Sequence, residues 1–517
     1  MSKNKLVRVL RRGCIGVLIG SLVAILGWTF LDRAPTPVAS AAGPAPHGFS
    51  VQVPAAPPGP ATGAVAALAD LPPADRLCRF GLDALTDVTP YPLNALRLGW
   101  YLDWATAVQP VRPGGISYLQ MITFKQTGPN AYSASLSGSA LANTLASNPH
   151  ATWVLGNEPD SPAQDNMDPQ LYAQAYHDYY YLIKGIDPGA QIAIAAVVQP
   201  TPLRMQYLDL VLSSYRTRYH QPLPVDIWSI HGFILNEVSC SYDPGNCWGA
   251  LIPRGVNANY GQRIRIDQNA DSAMFMTLIP PFRQWMASRG YQDRPLIITE
   301  FGVQMPPDYG FPPDLVNRYM TDTFNYLSSA GGSTGYPADN YHYVQRWAWY
   351  SLADTSLNGW LFDPATKART STGDNFAAYT ARINPQVNLA ATRVWADPLP
   401  VVPPGGSATL TLHARVVNNG DMPITGAIMV RFYDGDPAQG GQPIGADQAI
   451  AGLDGCASIG TVQLNWSNVP AGAHRVYAVA DPTNQVTEST KADNTGAGTV
   501  LVPTYRLYLP SMAKETP

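Results

Sequence analysis

Residues Ala151–Asp160 read ATWVLGNEPD. An apolar run stops at Gly156, and Asn157, Glu158, Pro159 and Asp160 follow at once. Pro159 has no amide hydrogen to give to a sheet, so a strand ends here with a carboxylate at its C-terminal tip. The stretch PLIITEFGV, 295–303, has the same form and carries Glu300. Six further short apolar runs surround these two: RFGLDAL (79–85), ALRLGWYLDW (95–104), SYLQMITF (117–124), QIAIAAVV (191–198), VDIWSIHGF (225–233) and VQRWAWYSL (344–352). Glu158 therefore lies on the fourth of eight runs and Glu300 on the seventh.

Helical patterns fill several of the gaps, at 139–147, 168–185, 203–219, 270–289 and 313–330. Strands alternating with helices imply parallel βα units. Eight such units predict an α/β fold, a (β/α)8 TIM barrel over 78–382. An open doubly wound sheet is the alternative. No glycine-rich phosphate turn follows the first run, which disfavours a dinucleotide-binding domain.

The 517-residue chain has room for two or three domains. It is 46% hydrophobic and 14% charged, a composition for packed cores rather than disorder. With a net charge of −4, nothing in the sequence suggests a nucleic-acid footprint, which would need clustered Lys/Arg and a basic domain. The 27 Tyr, 12 Trp and 13 Phe suit both core packing and a cleft that stacks rings.

Lys3, Lys5, Arg8, Arg11 and Arg12 precede an uncharged run, Gly13–Leu31. This is the form of an export signal, with Ala39-Ser40-Ala41 as a cleavage site. The run is also long enough to be an uncleaved anchor, which would be the chain's membrane contact. Residues 1–42 are thus a signal peptide or signal anchor, and 43–77 a Pro/Ala/Gly-rich linker. The chain is expected to be secreted or held at the cell surface. Cys240 and Cys247 bracket a Pro-Gly turn and are expected either to pair or to remain free thiols; Cys78 and Cys456 look isolated. No cysteine or histidine spacing marks a metal site, and no cofactor is expected.

Beyond 383, short alternating strands separated by Pro, Gly and Asn-Gly turns predict an immunoglobulin-like β-sandwich. Its opening VNLAAT, its VVNNGD and its closing VYAVADPTNQVTESTKADN resemble the CARDB family, a module of bacterial surface and secreted proteins. The module is placed at 387–503, with a tail at 504–517. The resemblance implies an accessory or adhesive role rather than chemistry.

Active sites of (β/α)8 barrels lie at the C-terminal strand ends. Two carboxylates there are what glycoside hydrolysis needs: one protonates the leaving oxygen, the other attacks the anomeric carbon or activates water. Asn157-Glu158-Pro159 on run four and Thr299-Glu300-Phe301-Gly302 on run seven resemble the clan A retaining glycoside hydrolases. That resemblance makes Glu158 the acid/base and Glu300 the nucleophile. It makes Asn157 a donor to the sugar 2-hydroxyl and Trp349 a sugar-stacking ring, with Trp347 as the alternative two residues away. His231 is expected to bond the nucleophile or a sugar hydroxyl, or else to be structural. Arg97 is expected beneath the nucleophile or in an ordinary ion pair. Trp100, Tyr101 and Asp103, and likewise Asp83 at the end of the first run, would line the cleft; Trp228 and Trp248 are candidates for subsites, with core or loop packing favoured for each. The expected activity is cleavage of β-glycosidic bonds in a poly- or oligosaccharide with retention. The alternative is a catalytically silent carbohydrate-binding or adhesion protein on the same barrel.

Overall fold

A computed structural model describes residues 76–505, Leu399 excepted. The signal or anchor, Cys14, nearly all of the linker and most of the tail lie outside the described residues. No helix among those described is long and apolar enough to cross a membrane.

The first domain is built from parallel strands: β1 (Leu77–Asp83), β2 (Leu98–Leu102), β3 (Ser117–Tyr118), β4 (Gln120–Ile122), β7 (Thr152–Leu155), β8 (Gln191–Ile194), β9 (Trp228–His231), β10 (Leu296–Phe301) and β12 (Arg346–Trp349). A six-stranded sheet has the order β3-β2-β1-β12-β10-β9, and a three-stranded one the order β4-β7-β8. Only Leu119 separates β3 from β4. On the far side, parallel bridges join Ala193 to Ile227 and Val197 to Ile230, between the β8 and β9 regions. A hairpin, β5 (Phe124–Gly128) and β6 (Ala131–Ala134), follows β4, and β11 (Gly331–Tyr336) precedes β12.

Five helices alternate with these strands: α1 (Gly138–Ser147), α2 (Pro169–Ile186), α3 (Pro202–Tyr219), α4 (Ser272–Ser288) and α5 (Pro313–Ser329); α6 (Ser371–Thr380) closes the domain. Proline opens α2, α3 and α5, where its fixed φ suits the first turn and no amide hydrogen is lost. Asp271 caps α4 by accepting from Met274 N at 3.0 Å. The main apolar core lies between strands and helices. A smaller cluster on the opposite face takes residues from most strands, including Trp100, Met121, Val154, Ala193, Ile297 and Ala348. β1 contributes Gly81 there; a Cβ on it would stand 2.4 Å from the Trp100 ring, so only glycine admits that indole.

The second domain is a two-sheet antiparallel sandwich. Its strands are β13 (Leu389–Asp397), β14 (Ser407–Asn418), β15 (Ile428–Asp434), β16 (Gln442–Ile450), β17 (Ser458–Pro470), β18 (Gly472–Ala480) and β19 (Thr495–Val502). The sheets run β13-β14-β17 and β16-β15-β18-β19 around one apolar core. Thr504, at the start of the tail, bridges Val402 in parallel.

The seam between the domains corrects the reading of two cysteines. Cys78 and Cys456, which look isolated 378 residues apart, form a disulfide. Sequence distance hides the pair, because folding brings the start of β1 against the turn before β17. Arg79 makes a bidentate pair with Asp339 at 2.7 and 2.8 Å and reaches Asp421 at 3.6 Å and Asn419 O at 3.3 Å. Burial alone would raise Asp339, but Arg79 outweighs it and holds the carboxyl at about 2. Cys240 and Cys247 are also bonded.

Candidate active site

β7 delivers Glu158 through a strained turn. Gly156 has φ +102°, and a Cβ there would meet Ala195 and Asp165 at 3.0 Å. The buried Asp165 Oδ2 accepts from Asn157 N at 2.8 Å and from Phe124 N at 3.1 Å, which fixes the backbone before the glutamate. Burial raises Asp165 to about 8 against these donors. Glu158 itself has φ +43°, a conformation that costs a β-carbon residue about 1 kcal/mol or more, and its N–H donates to Ala196 O at 3.1 Å. The side chain is buried and reaches His231 at the end of β9.

β10 delivers Glu300 through a break in register. Ile297 faces the inner cluster, whereas Ile298 and Phe301 both face the helices. Strict alternation would send Glu300 outward with Ile298. The pairing to β9 and to β12 shifts just beyond Ile298, and this irregularity re-aims the side chain into the mouth.

His231, at the end of β9, stands between the two glutamates. Its Nδ1 is 2.8 Å from Glu158 Oε1, in hydrogen-bond geometry. Its Nε2 is 3.2 Å from Glu300 Oε1, within ion-pair reach but out of line for a hydrogen bond. One ligand atom from each of the three side chains lies within 4.8 Å of the other two. Trp104, in the loop after β2, donates its indole N–H to Glu300 Oε1 at 2.6 Å. Among the described residues no hydrogen bond is made to Glu300 Oε2. Burial, and then the charge of Glu158, push Glu300 up to about 7, against the lowering pull of His231 and Trp104. For His231 burial alone would lower the pKa; Glu300 and Glu158 outweigh it and hold the ring above its usual value.

Asp83 ends β1 beside this group. It is wholly buried, and neither carboxyl oxygen has a protein hydrogen-bond partner among the described residues. Burial and then the charge of Glu300 hold it well above the usual carboxylate range. Behind Glu158, the buried Arg204 binds Asp160 O and Oδ2 at 2.8 and 3.0 Å, Glu237 Oε1 at 3.0 Å, and the carbonyls of Ala250 and Leu251 at 2.7 Å.

Asn157 and His231 thus stand with the two glutamates; Asn157 is buried and its Oδ1 has no partner among the described residues. The other expected cleft residues lie elsewhere. Trp349 is fully buried, donates to Gly359 O at 2.8 Å and packs edge-on against Phe301. Ala348 takes the inner face, so both Trp349 and Trp347 must face the helices and neither reaches a sugar. Arg97 precedes β2 and donates to Thr380 O and Ile383 O at 2.7 and 2.8 Å, at the strand's opposite end from the glutamates. Trp100 fills the inner core below the mouth, and Trp228 packs outward on Trp285 and Tyr291. Asp103 Oδ1 accepts from the Tyr118 hydroxyl and from Ala105 N, and the residue is half-buried. Trp104 was missed; its one signal was an aromatic residue directly after a strand's terminal carboxylate. The buried anchors Asp165 and Arg204 carried no sequence signal.

The CARDB family model matches residues 399–497. No curated protein matches the chain. Among solved structures, a GH128 (subgroup II) endo-β-1,3-glucanase from Sorangium cellulosum is 17% identical, with 58% of this chain and 98% of that chain covered and a TM-score of 0.38. A GH128 (subgroup I) endo-β-1,3-glucanase from Amycolatopsis mediterranei, solved with laminaritriose, is 16% identical over 58% of this chain and 98% of that one, with a TM-score of 0.37. A CARDB domain from Pyrococcus furiosus, solved with di-metal ions, is 19% identical over 23% of this chain and 90% of that one, with a TM-score of 0.18.

Proposed function

We propose that the chain is an exported glycoside hydrolase that cleaves β-glycosidic bonds with retention, on a closed (β/α)8 barrel. The observation that carries this reading is the pairing of two buried glutamates at the C-terminal ends of β7 and β10, with an oxygen of each within 4.8 Å. Retaining enzymes hold their carboxyl groups about 5–5.5 Å apart, and inverting ones about 6.5–9.5 Å apart to admit a water. An oxygen-to-oxygen approach under 4.8 Å is in keeping with the retaining arrangement. Ring closure is supported by the one-residue gap between β3 and β4 and by the bridges from β8 to β9. The two disulfides support an oxidising compartment.

In this mechanism Glu158 gives its proton to the leaving glycosidic oxygen while Glu300 Oε2 bonds to the anomeric carbon and the C–O bond breaks. Glu158 then takes a proton from water, which attacks the glycosyl ester and frees Glu300. His231 orients Glu158 through Nδ1 and stands within ion-pair reach of Glu300. Trp104 holds Oε1 and leaves Oε2 to react. Asn157 is placed beside the acid for the 2-hydroxyl.

The test is rescue. With Glu158→Ala, azide should restore turnover of an activated aryl β-glycoside, giving a β-glycosyl azide. A Glu158→Ala enzyme that is as active as the unsubstituted chain without azide would refute the assignment.

A further inference from the structure

The loop after β9 is built as a fixed arm rather than a slack connection. Its two sides pair antiparallel: Glu237 N donates to Gln262 O at 2.8 Å, Gly261 N to Glu237 O at 2.9 Å and Ser239 N to Asn259 O at 2.8 Å, with Val238 bridging Tyr260. The Cys240–Cys247 disulfide closes its outer bend. Its base is held by the fully buried Arg204, which joins Glu237, Ala250 and Leu251 of the arm to Asp160, two residues beyond Glu158. Thr201 donates to the same Glu237 Oε1 at 2.7 Å, and Gln262 N to Oε2 at 2.7 Å. Farther out, Arg254 donates to Asn166 Oδ1 at 2.8 Å, again on the loop that follows Glu158. The arm and the proposed acid therefore share one frame.

On this frame two large aromatic rings face solvent. Tyr242 is 51% and Tyr260 53% exposed, with ring centroids 5.8 Å apart. The Arg263 guanidinium lies 5.9 Å from the Tyr260 centroid and pairs with Asp243 at 3.0 Å. A rigid mount, two adjacent open rings and a charged pair at their edge match the chemistry of a pyranose, which has apolar C–H faces and hydroxyls at its rim. Exposed rings held by a disulfide and a buried ion network gain nothing for the core.

We propose that Tyr242 and Tyr260 form a sugar-stacking subsite outside the catalytic mouth, which takes a pyranose unit of a polysaccharide chain. Arg263 and Asp243 supply hydrogen bonds to its hydroxyls. The ligand class follows: a polymer long enough to bridge the arm and the glutamates, rather than a disaccharide. This inference deepens the glycosidase reading and rests on it for its link to turnover.

The test uses the full chain carrying Glu300→Ala, with and without Tyr242→Ala and Tyr260→Ala, in affinity gels containing laminarin, barley β-glucan, xylan or galactomannan. Both tyrosines are exposed, so the substitutions leave the fold intact. The parent should be retarded in at least one gel, and the double tyrosine variant should bind that polymer about fivefold or more weakly. With Glu300 restored, the same pair should raise KM on that polymer and leave turnover of an aryl β-glycoside unchanged. Equal retardation of parent and double variant, or no retardation in any gel, overturns the subsite. Failure of the glycosidase reading shows separately, as turnover that survives Glu300→Ala.

Discussion

The two ends of β1 use buried charge in opposite ways. At its start, Arg79 meets Asp339 in a bidentate pair and the Cys78–Cys456 disulfide fastens the sandwich to the first domain. Opposite charges there hold a carboxyl at about 2. At its other end, four residues later, Asp83 lies beside Glu300, and burial first, then the charge of Glu158, pushes Glu300 up to about 7. The floor gains stability from its charges; the mouth gives stability up to keep carboxyl groups close together. His231 and Trp104 offset part of that cost, and they do so on Glu300 rather than on Asp83. His231 and Trp104 both favour the charged form of Glu300, the form a nucleophile needs.

Substitutions at the two ends should separate activity from stability. Glu300→Ala should lower kcat on any cleaved polysaccharide by at least about 10³-fold, with the circular dichroism spectrum unchanged. Arg79→Met acts at the floor: it leaves Asp339 buried without its partner and should cost about 3–5 kcal/mol in denaturant unfolding, with kcat little changed in the folded protein. Cys456→Ser, which frees the seam, should cost about 2–5 kcal/mol and match the loss seen on reduction of that disulfide.

Glu300→Gln should have the opposite sign, and only above the acid range. The carboxyl is raised from 4.5 to about 7, so the folded protein holds its proton more tightly than the unfolded chain does. The stability due to that preference is full below about pH 4.5 and is lost as pH rises through about 7. The glutamine variant should therefore be more stable than the parent by about 1–3 kcal/mol near pH 8, and equal to it near pH 4. The smallest effect is expected from Trp104→Phe. Loss of its N–H removes a donor from the charged form, so the acidic limb of the kcat/KM profile should move to higher pH, by less than about one unit. A limb that moves to lower pH would show that Trp104 does not stabilise the Glu300 anion.

What could be read from sequence was what depends on local pattern. The alternation of apolar runs with helical segments marks the strands and helices of the first domain, and the abrupt ends at Glu158 and Glu300 mark the mouth. Readings that depended on which face of a strand a side chain takes went astray. Trp349 follows Ala348, and only packing reveals that the alanine, not the tryptophan, turns inward. Glu300 faces the mouth because β10 slips its register, an irregularity absent from the residue pattern. Arg97 sits at the wrong end of β2 for a cleft residue, although its strand was correctly placed. Cys78 and Cys456 pair across 378 residues, and nothing local to either announces the other. CARDB-like segments were legible because turn residues and alternating strands repeat along that block.

The account's central claim is that Glu158 and Glu300 act as acid/base and nucleophile across a short gap. Proton NMR of the first-formed reducing sugar, on a β-linked polysaccharide that the full chain cleaves, tests this most directly. The account predicts that the β-anomer appears first and then mutarotates, and that Glu300→Ala releases none. An initial α-anomer, or undiminished release by Glu300→Ala, would contradict it.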